Sequence, residues 1–326
     1  MLEWPGKPTL MMIRADDPRR MPIRLRQQLI DEGFNDRAIA RRVRDGMWAR
    51  PRRGAYVDGP AWRALDDVQK HAVVARAVLL TARTDVVLSH ASALGEYGAP
   101  TWNIDLSMVH VTRLDGRAGR KEAGVRQHAG SLRADDWEVR GGVPVTSATR
   151  LALDMTTLVD VETSLVIVNH LLHQKLTDPA RLERTRAFMD AWPNTLHTDL
   201  VLRLADGRIE SVGESRCFHL CWRYGLPRPE PQYKIRDANG RVVARVDFAW
   251  PDLGVFLEFD GMVKYRKLLR DGETASDVVV REKLREELIC RLTGWRCIRL
   301  VWADLLSPEI TAARIREQLY PMPLAS

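Results

Sequence analysis

The sequence predicts a mixed α+β chain of several domains, and three stretches carry that expectation. Arg241–Tyr265 reads RVVARVDFAWPDLGVFLEFDGMVKY, two apolar runs on either side of Pro251-Asp252-Leu253-Gly254, whose residues favour a turn. Arg24–Val57 places two helical patterns before a pair of short strands. Residues 148–191 hold a series of helical periodicities, Ala148–Leu158, Val161–Gln174 and 180–191. At 326 residues the chain has room for two or three separate cores. The expected division is 1–60, 61–205 and 206–326.

Charge sets the class of partner. With 50 Lys and Arg against 43 Asp and Glu, the net charge is +7, which favours an anionic partner and nucleic acid above all. Genome composition alone also raises arginine, so clustering is more telling than the total. Cys217, Cys221, Cys290 and Cys297 form no C-x-x-C pair, as expected of buried reduced thiols in a cytoplasmic protein rather than of a zinc site. No apolar run is long enough to span a bilayer and the N-terminus lacks a signal-peptide pattern, so no membrane partner is expected.

The first charge cluster lies in Arg24–Val57. A helical pattern ends near Gly33, and Asn35 is a good N-cap for the next helix, Asp36–Asp45, which Gly46 stops. Within it Arg37, Arg41 and Arg44 recur one turn apart, while Ile39 and Val43 lie on another face. Residues Met47–Val57 read as two short strands around a basic turn that carries Arg50, Arg52 and Arg53. Helix, arginine-faced helix and basic hairpin is the order of a winged helix-turn-helix. The run Arg37 to Trp48 and the tail Arg52–Val57 (RRGAYV) resemble the N-terminal domain of AbiEi-type antitoxins. That resemblance implies a transcriptional repressor that docks on double-stranded DNA through these six arginines, with a cognate toxin or a second copy of the chain as partner.

The middle region, Trp62–Asp199, carries no motif with chemistry attached. Asp67–Ala82 and Ser89–Tyr97 read as helices, and Ile104–Thr112 and Gly124–His128 as strands. His71, His90, His110, His128, His170 and His173 share no metal-ligand spacing and read as core or surface residues. The region is expected to be an α/β connector.

Chemistry concentrates in the last third. A symmetric hairpin closed by Pro251–Gly254 sets Trp250 against Val255 and Asp247 against Glu258, with Asp260 on the face of Glu258. Directly opposed like charges are destabilising unless a proton, a cation or a divalent metal compensates. Upstream, Glu210 and Glu214 share the packed face of a helix with Cys217 and Cys221. A glutamate on a packed face needs a partner, and an arginine such as Arg216 or Arg245 is a candidate for one or both. Arg266–Val280 reads as a loop, Arg281–Leu292 as a helix with Leu284, Leu288 and Leu292 inside, and Trp295–Trp302 as a closing strand.

Glu214, Asp247 and the Glu258-Phe259-Asp260-Gly261 motif resemble the core of the PD-(D/E)XK nucleases, most closely the very-short-patch-repair-like branch. That resemblance implies a restriction-endonuclease-like mixed sheet flanked by helices. It also implies a Mg²⁺ or Mn²⁺ held by Asp247, Glu258 and Asp260, with Glu214 completing the catalytic set. The motif lysine is missing two residues after Glu258, where Asp260 stands, and Lys264 is the nearest replacement. A metal-dependent endonuclease or nickase and a DNA-binding regulator with an inactive nuclease fold are therefore both expected readings.

Overall fold

The computed structural model describes residues 17–117, 119–130, 132–189, 192–261 and 275–321. It is mixed α+β and divides into two compact units, Met1–Ile167 with Leu176–Leu202, and Val168–Lys175 with Arg203–Ser326.

The first unit opens with β1 (Arg24–Leu25), α1 (Arg26–Asp31) and α2 (Asp36–Arg44), followed by β2 (Trp48–Arg52) and β3 (Ala55–Asp58). The strands form one sheet in the order β1-β3-β2, antiparallel throughout. Asn35 caps α2 as its sequence position predicts, its side chain accepting from the Ala38 N–H. Leu29, Ile39 and Tyr56 form the small core, with Phe34, Val43 and Trp48 packed on it. This face is the apolar one read from Ile39 and Val43.

The chain continues through α3 (Gly59–Arg63) and α4 (Asp67–Thr81) into a six-stranded sheet. Its members are β4 (Val86–Leu88), β5 (Val109–Arg113), β6 (Lys121–Glu122), β7 (Val125–His128), β8 (Trp137–Arg140) and β9 (Val143–Thr146), in the order β6-β7-β5-β4-β9-β8. Strands β4, β8 and β9 escaped the sequence reading because three or four residues are too few to show alternation. The strand expected from Ile104 begins only at Val109. Before it, Asn103 takes a left-handed φ of 57° and the Asp105 side chain accepts from the Ser107 N–H, which breaks extension. Ser89–Tyr97, expected as an α-helix, is a 3-10 helix over His90–Tyr97. Helices α5 (Ala148–Thr156), α6 (Val161–His173), α7 (Pro179–Arg186) and α8 (Thr198–Leu204) follow, and α6 runs on into residues of the second unit.

The second unit holds α9 (Val212–Arg223) and a four-stranded sheet of β10 (Glu230–Arg236), β11 (Val242–Trp250), β12 (Val255–Asp260) and β13 (Arg296–Val301), in sequence order. The first two pairings are antiparallel and β12–β13 is parallel. A parallel pair needs a crossover, which here includes α10 (Ala275–Thr293), and α11 (Pro308–Leu319) closes the unit. The hairpin turn is one 3-10 turn over Pro251–Leu253 that ends on Gly254 at φ 60°, a conformation that favours glycine.

Two expectations for α10 are corrected. The helix starts at Ala275, inside the stretch read as a loop. Leu284, Leu288 and Leu292 are 59%, 43% and 45% exposed, and Ile289 is the buried residue of this stretch. The helix is turned to bring Arg285 and Glu286 toward charges on the sheet, and that rotation carries the leucines outward.

Candidate functional site

The register of the second sheet builds a polar row across its middle. Gln232 lies between the pairs Pro231↔Phe248 and Tyr233↔Val246, level with Asp247. One step beyond Phe248↔Leu257, Asp247 lies level with Glu258, and Glu258 pairs with Arg299. Trp250 faces Val255, the register expected from the turn. Asp247 and Glu258 are both buried, at 8% and 7% exposure, so each needs compensation.

Hydrogen bonds and cations supply it. The Asp247 Oδ2 accepts from the Phe259 N–H at 2.8 Å. Glu258 is bound by Arg285 of α10 at 2.8 Å, and Arg285 also holds Glu282 at 2.8 Å. Burial alone pulls the Arg285 guanidinium down, but the Glu258 and Glu282 carboxylates outweigh it and hold it above its ordinary value. Asp260 pairs with Arg299, which also binds Glu286. An arginine thus stands on Glu258 and another on Asp260, and a backbone N–H on Asp247.

Glu214, 3% exposed, sits three residues after the N-cap Ser211 of α9. It accepts from the Ser211 hydroxyl at 2.7 Å, from the Glu210 N–H at 3.1 Å and from Gln232 Nε2 at 2.9 Å. The Ser-x-x-Glu spacing of Ser211 and Glu214 is a helix-start signature that accounts for part of this burial. Of the arginines weighed for the two glutamates, Arg245 takes Glu210 at 2.7 Å. Arg216 donates to the Leu305 carbonyl at 3.0 Å.

A divalent metal fits this arrangement poorly as it stands. Among the described residues, Asp247, Glu258, Asp260 and Glu214 form no group of three whose ligand oxygens lie within 4.8 Å of one another. Lys264 lies outside the described residues.

In the first unit, Arg37, Arg41, Arg44, Arg50 and Arg53 are exposed. Among the described residues none of them has a carboxylate partner within ion-pair distance. Arg52 is engaged by its own unit, donating to Thr81 Oγ1 at 3.0 Å and to the Ala123 carbonyl at 3.4 Å. Arg42, on the packed side, stands over the Phe34 and Trp48 rings at 5.0 and 5.2 Å.

One constellation was missed from sequence. His90, His110 and His128 each bring a ring nitrogen within 4.8 Å of the others, the one such group of three or more His, Cys, Asp or Glu among the described residues. They come from the start of the 3-10 helix, from β5 and from the end of β7. Their separations of 20 and 18 residues repeat no short metal-ligand motif, so only strand pairing could reveal them.

The chain is thus a two-unit α+β protein with an arginine face in one unit and a buried polar row in the other. No family model matches it. Two uncharacterized proteins of Mycobacterium tuberculosis, from strains CDC 1551 / Oshkosh and ATCC 25618 / H37Rv, are each 34% identical to it over 120 residues. The match covers 36% of this chain and spans only 41% of the length of those curated relatives. A crystal structure of the Rv2827c protein from Mycobacterium tuberculosis aligns with 52% of this chain and 68% of its own, at 17% identity and a TM-score of 0.38.

Proposed function

We propose that the protein binds double-stranded DNA as a regulator, docking through α2 and the β2–β3 hairpin. The carrying observation is the run of exposed arginines, Arg37, Arg41 and Arg44 on α2 with Arg50 and Arg53 on the hairpin, which no carboxylate among the described residues neutralises. Guanidinium groups left free in this way suit phosphate and base edges. The β1-α1-α2-β2-β3 order with β3 central supports a winged-helix reading, and the AbiEi-like residues agree with it. A cognate toxin or a second copy of the chain would be the protein partner.

The test is fluorescence anisotropy with duplex DNA over a salt series, comparing the wild type with Arg37→Ala/Arg41→Ala/Arg44→Ala. Each lost phosphate contact flattens the slope of log affinity against log salt by about 0.9, so the triple variant should flatten it by up to about 2.7. An unchanged slope would remove α2 from the interface.

A second reading is favoured by the Gln232–Asp247–Glu258 row with Glu214 joined to it: a Mg²⁺- or Mn²⁺-dependent endonuclease or nickase. It requires Arg285 and Arg299 to release Glu258 and Asp260. Supercoiled plasmid incubated with Mg²⁺, Mn²⁺ or EDTA decides it. Nicking that disappears in Asp247→Asn supports the enzyme, and none in the wild type leaves the regulator.

A further inference from the structure

The histidine triad lies in the first unit, on different residues from the carboxylate row. His90 opens its 3-10 helix directly after β4 with a φ of 49°. That is left-handed backbone, which histidine enters more readily than most side chains. His110 comes from β5, and His128 pairs in register with Thr112 on the neighbouring parallel strand, two residues along. The His110 Nδ1 and His128 Nε2 are 2.9 Å apart, and the His90 and His128 rings stack at 3.6 Å between centroids. Gathering three imidazoles without a carboxylate hydrogen-bonded to any of them costs solvation, and packing alone would be better served by apolar side chains.

A second observation points the same way. Asp154 of α5 is 1% exposed. Its Oδ1 takes Arg150 Nε at 2.8 Å, but its Oδ2 is buried without a hydrogen-bond partner. That orphaned oxygen lies 3.9 Å from His90 Nδ1, beside the Ser89 hydroxyl, which is 3.0 Å from the same nitrogen. Buried carboxylate oxygens are rarely left unpaired. A histidine that binds a metal through one nitrogen usually offers the other N–H to a carboxylate, which fixes the ring and raises its basicity.

We infer that His90, His110 and His128 form a binding site for a divalent transition metal of the zinc class, with Asp154 orienting His90 through Nδ1. Nitrogen donors suit zinc, cobalt or nickel and do not suit magnesium or calcium. Tetrahedral bonds of about 2.05 Å set ligand nitrogens about 3.3 Å apart, so the 2.9 Å His110–His128 pair is close to that span, while the His90 ring has to turn out of its stack on His128 to aim a nitrogen at the same ion. The positive neighbour Arg150 is balanced by Asp136 at 3.3 Å and Asp154 at 2.8 Å, and its guanidinium lies over the Trp192 ring at 4.0 Å. Arg126, the other nearby cation, is solvent-exposed and screened. His128 is half-buried, the most accessible of the three.

The test uses the full chain, stripped with a chelator and titrated with Co²⁺ and Zn²⁺. The expected result is one Co²⁺ per chain with the intense visible bands of a low-symmetry nitrogen site, displaced by Zn²⁺ and unaffected by millimolar Mg²⁺. His128→Gln, at the half-buried position, should lose the bands. Asp154→Asn should weaken Zn²⁺ binding about 10–100-fold, and His173→Gln should leave it unchanged. No bands in the wild type, which needs no variant to fold, would overturn the site. Bands kept in His128→Gln would do the same, as would bands lost in His173→Gln.

Discussion

Arg285 is the residue on which the charge balance of the second sheet turns. Its loss takes a guanidinium away from Glu258, which is buried level with Asp247. Arg285→Ala should lower stability by about 1–3 kcal/mol in urea denaturation, less than for a fully buried pair because the guanidinium is about a third exposed. An Arg285→Ala/Glu258→Gln double variant should recover part of that loss, since it also removes the buried carboxylate charge that Arg285 offsets. His71 makes a second prediction. Its Nδ1 donates to the Leu106 carbonyl and its Nε2 accepts from the Ser92 hydroxyl, each at 2.9 Å. Burial lowers its pKa. Between the lowered folded value and the ordinary one near 6.5, the unfolded chain therefore binds more protons than the folded one. Stability should fall as pH drops below about 6.5, and His71→Gln should flatten the dependence of melting temperature on pH by up to one proton. A melting temperature flat from pH 7.5 to 5.5 would contradict this.

At the scale of elements, α9 and α10 show how packing overrides a local pattern. Gly213 sits in the first turn of α9, where a Cβ would lie 2.0 Å from the buried Phe259 ring. Alanine would gain about 1 kcal/mol of helix propensity. It would cost about 1–3 kcal/mol through overpacking, and the backbone and ring have to shift to admit it. Gly213→Ala should therefore be less stable than the wild type in chemical denaturation, despite the better helix former. For α10 the leucine stripe reads as an inner face, yet the ion pairs of Arg285 and Glu286 turn it outward. Leu284→Glu should accordingly change stability by no more than about 0.5 kcal/mol, as at an ordinary surface position. A loss of several kcal/mol would mean that the leucines are covered in solution.

For the whole molecule, the net charge of +7 favours any polyanion, and under the proposed DNA-binding function the five arginines without a carboxylate partner among the described residues would set how steeply binding responds to salt. If all five touch phosphate, log affinity should fall with log salt at a slope of about 4.5. Asp247→Asn, in the other unit, should leave that slope unchanged. The sequence by itself determined the mixed α+β class and the β11–β12 register. It also determined the α2 cap and the separation of Ile39 and Val43 from the arginines. Turn chemistry, caps and side-chain period are local, so a short window carries them. Tertiary structure alone decided the rest, because those contacts join residues far apart in the chain. Arg285 reaches Glu258 from 27 positions away, and Arg299 reaches Asp260 from 39. Strand pairing and the turn after β4 gather His90, His110 and His128, and a helix brings Asp154 beside them. No spacing along the chain encodes such a meeting, since two neighbouring strands, the 3-10 turn after β4 and α5 each supply one residue and the sheet order sets which ones meet.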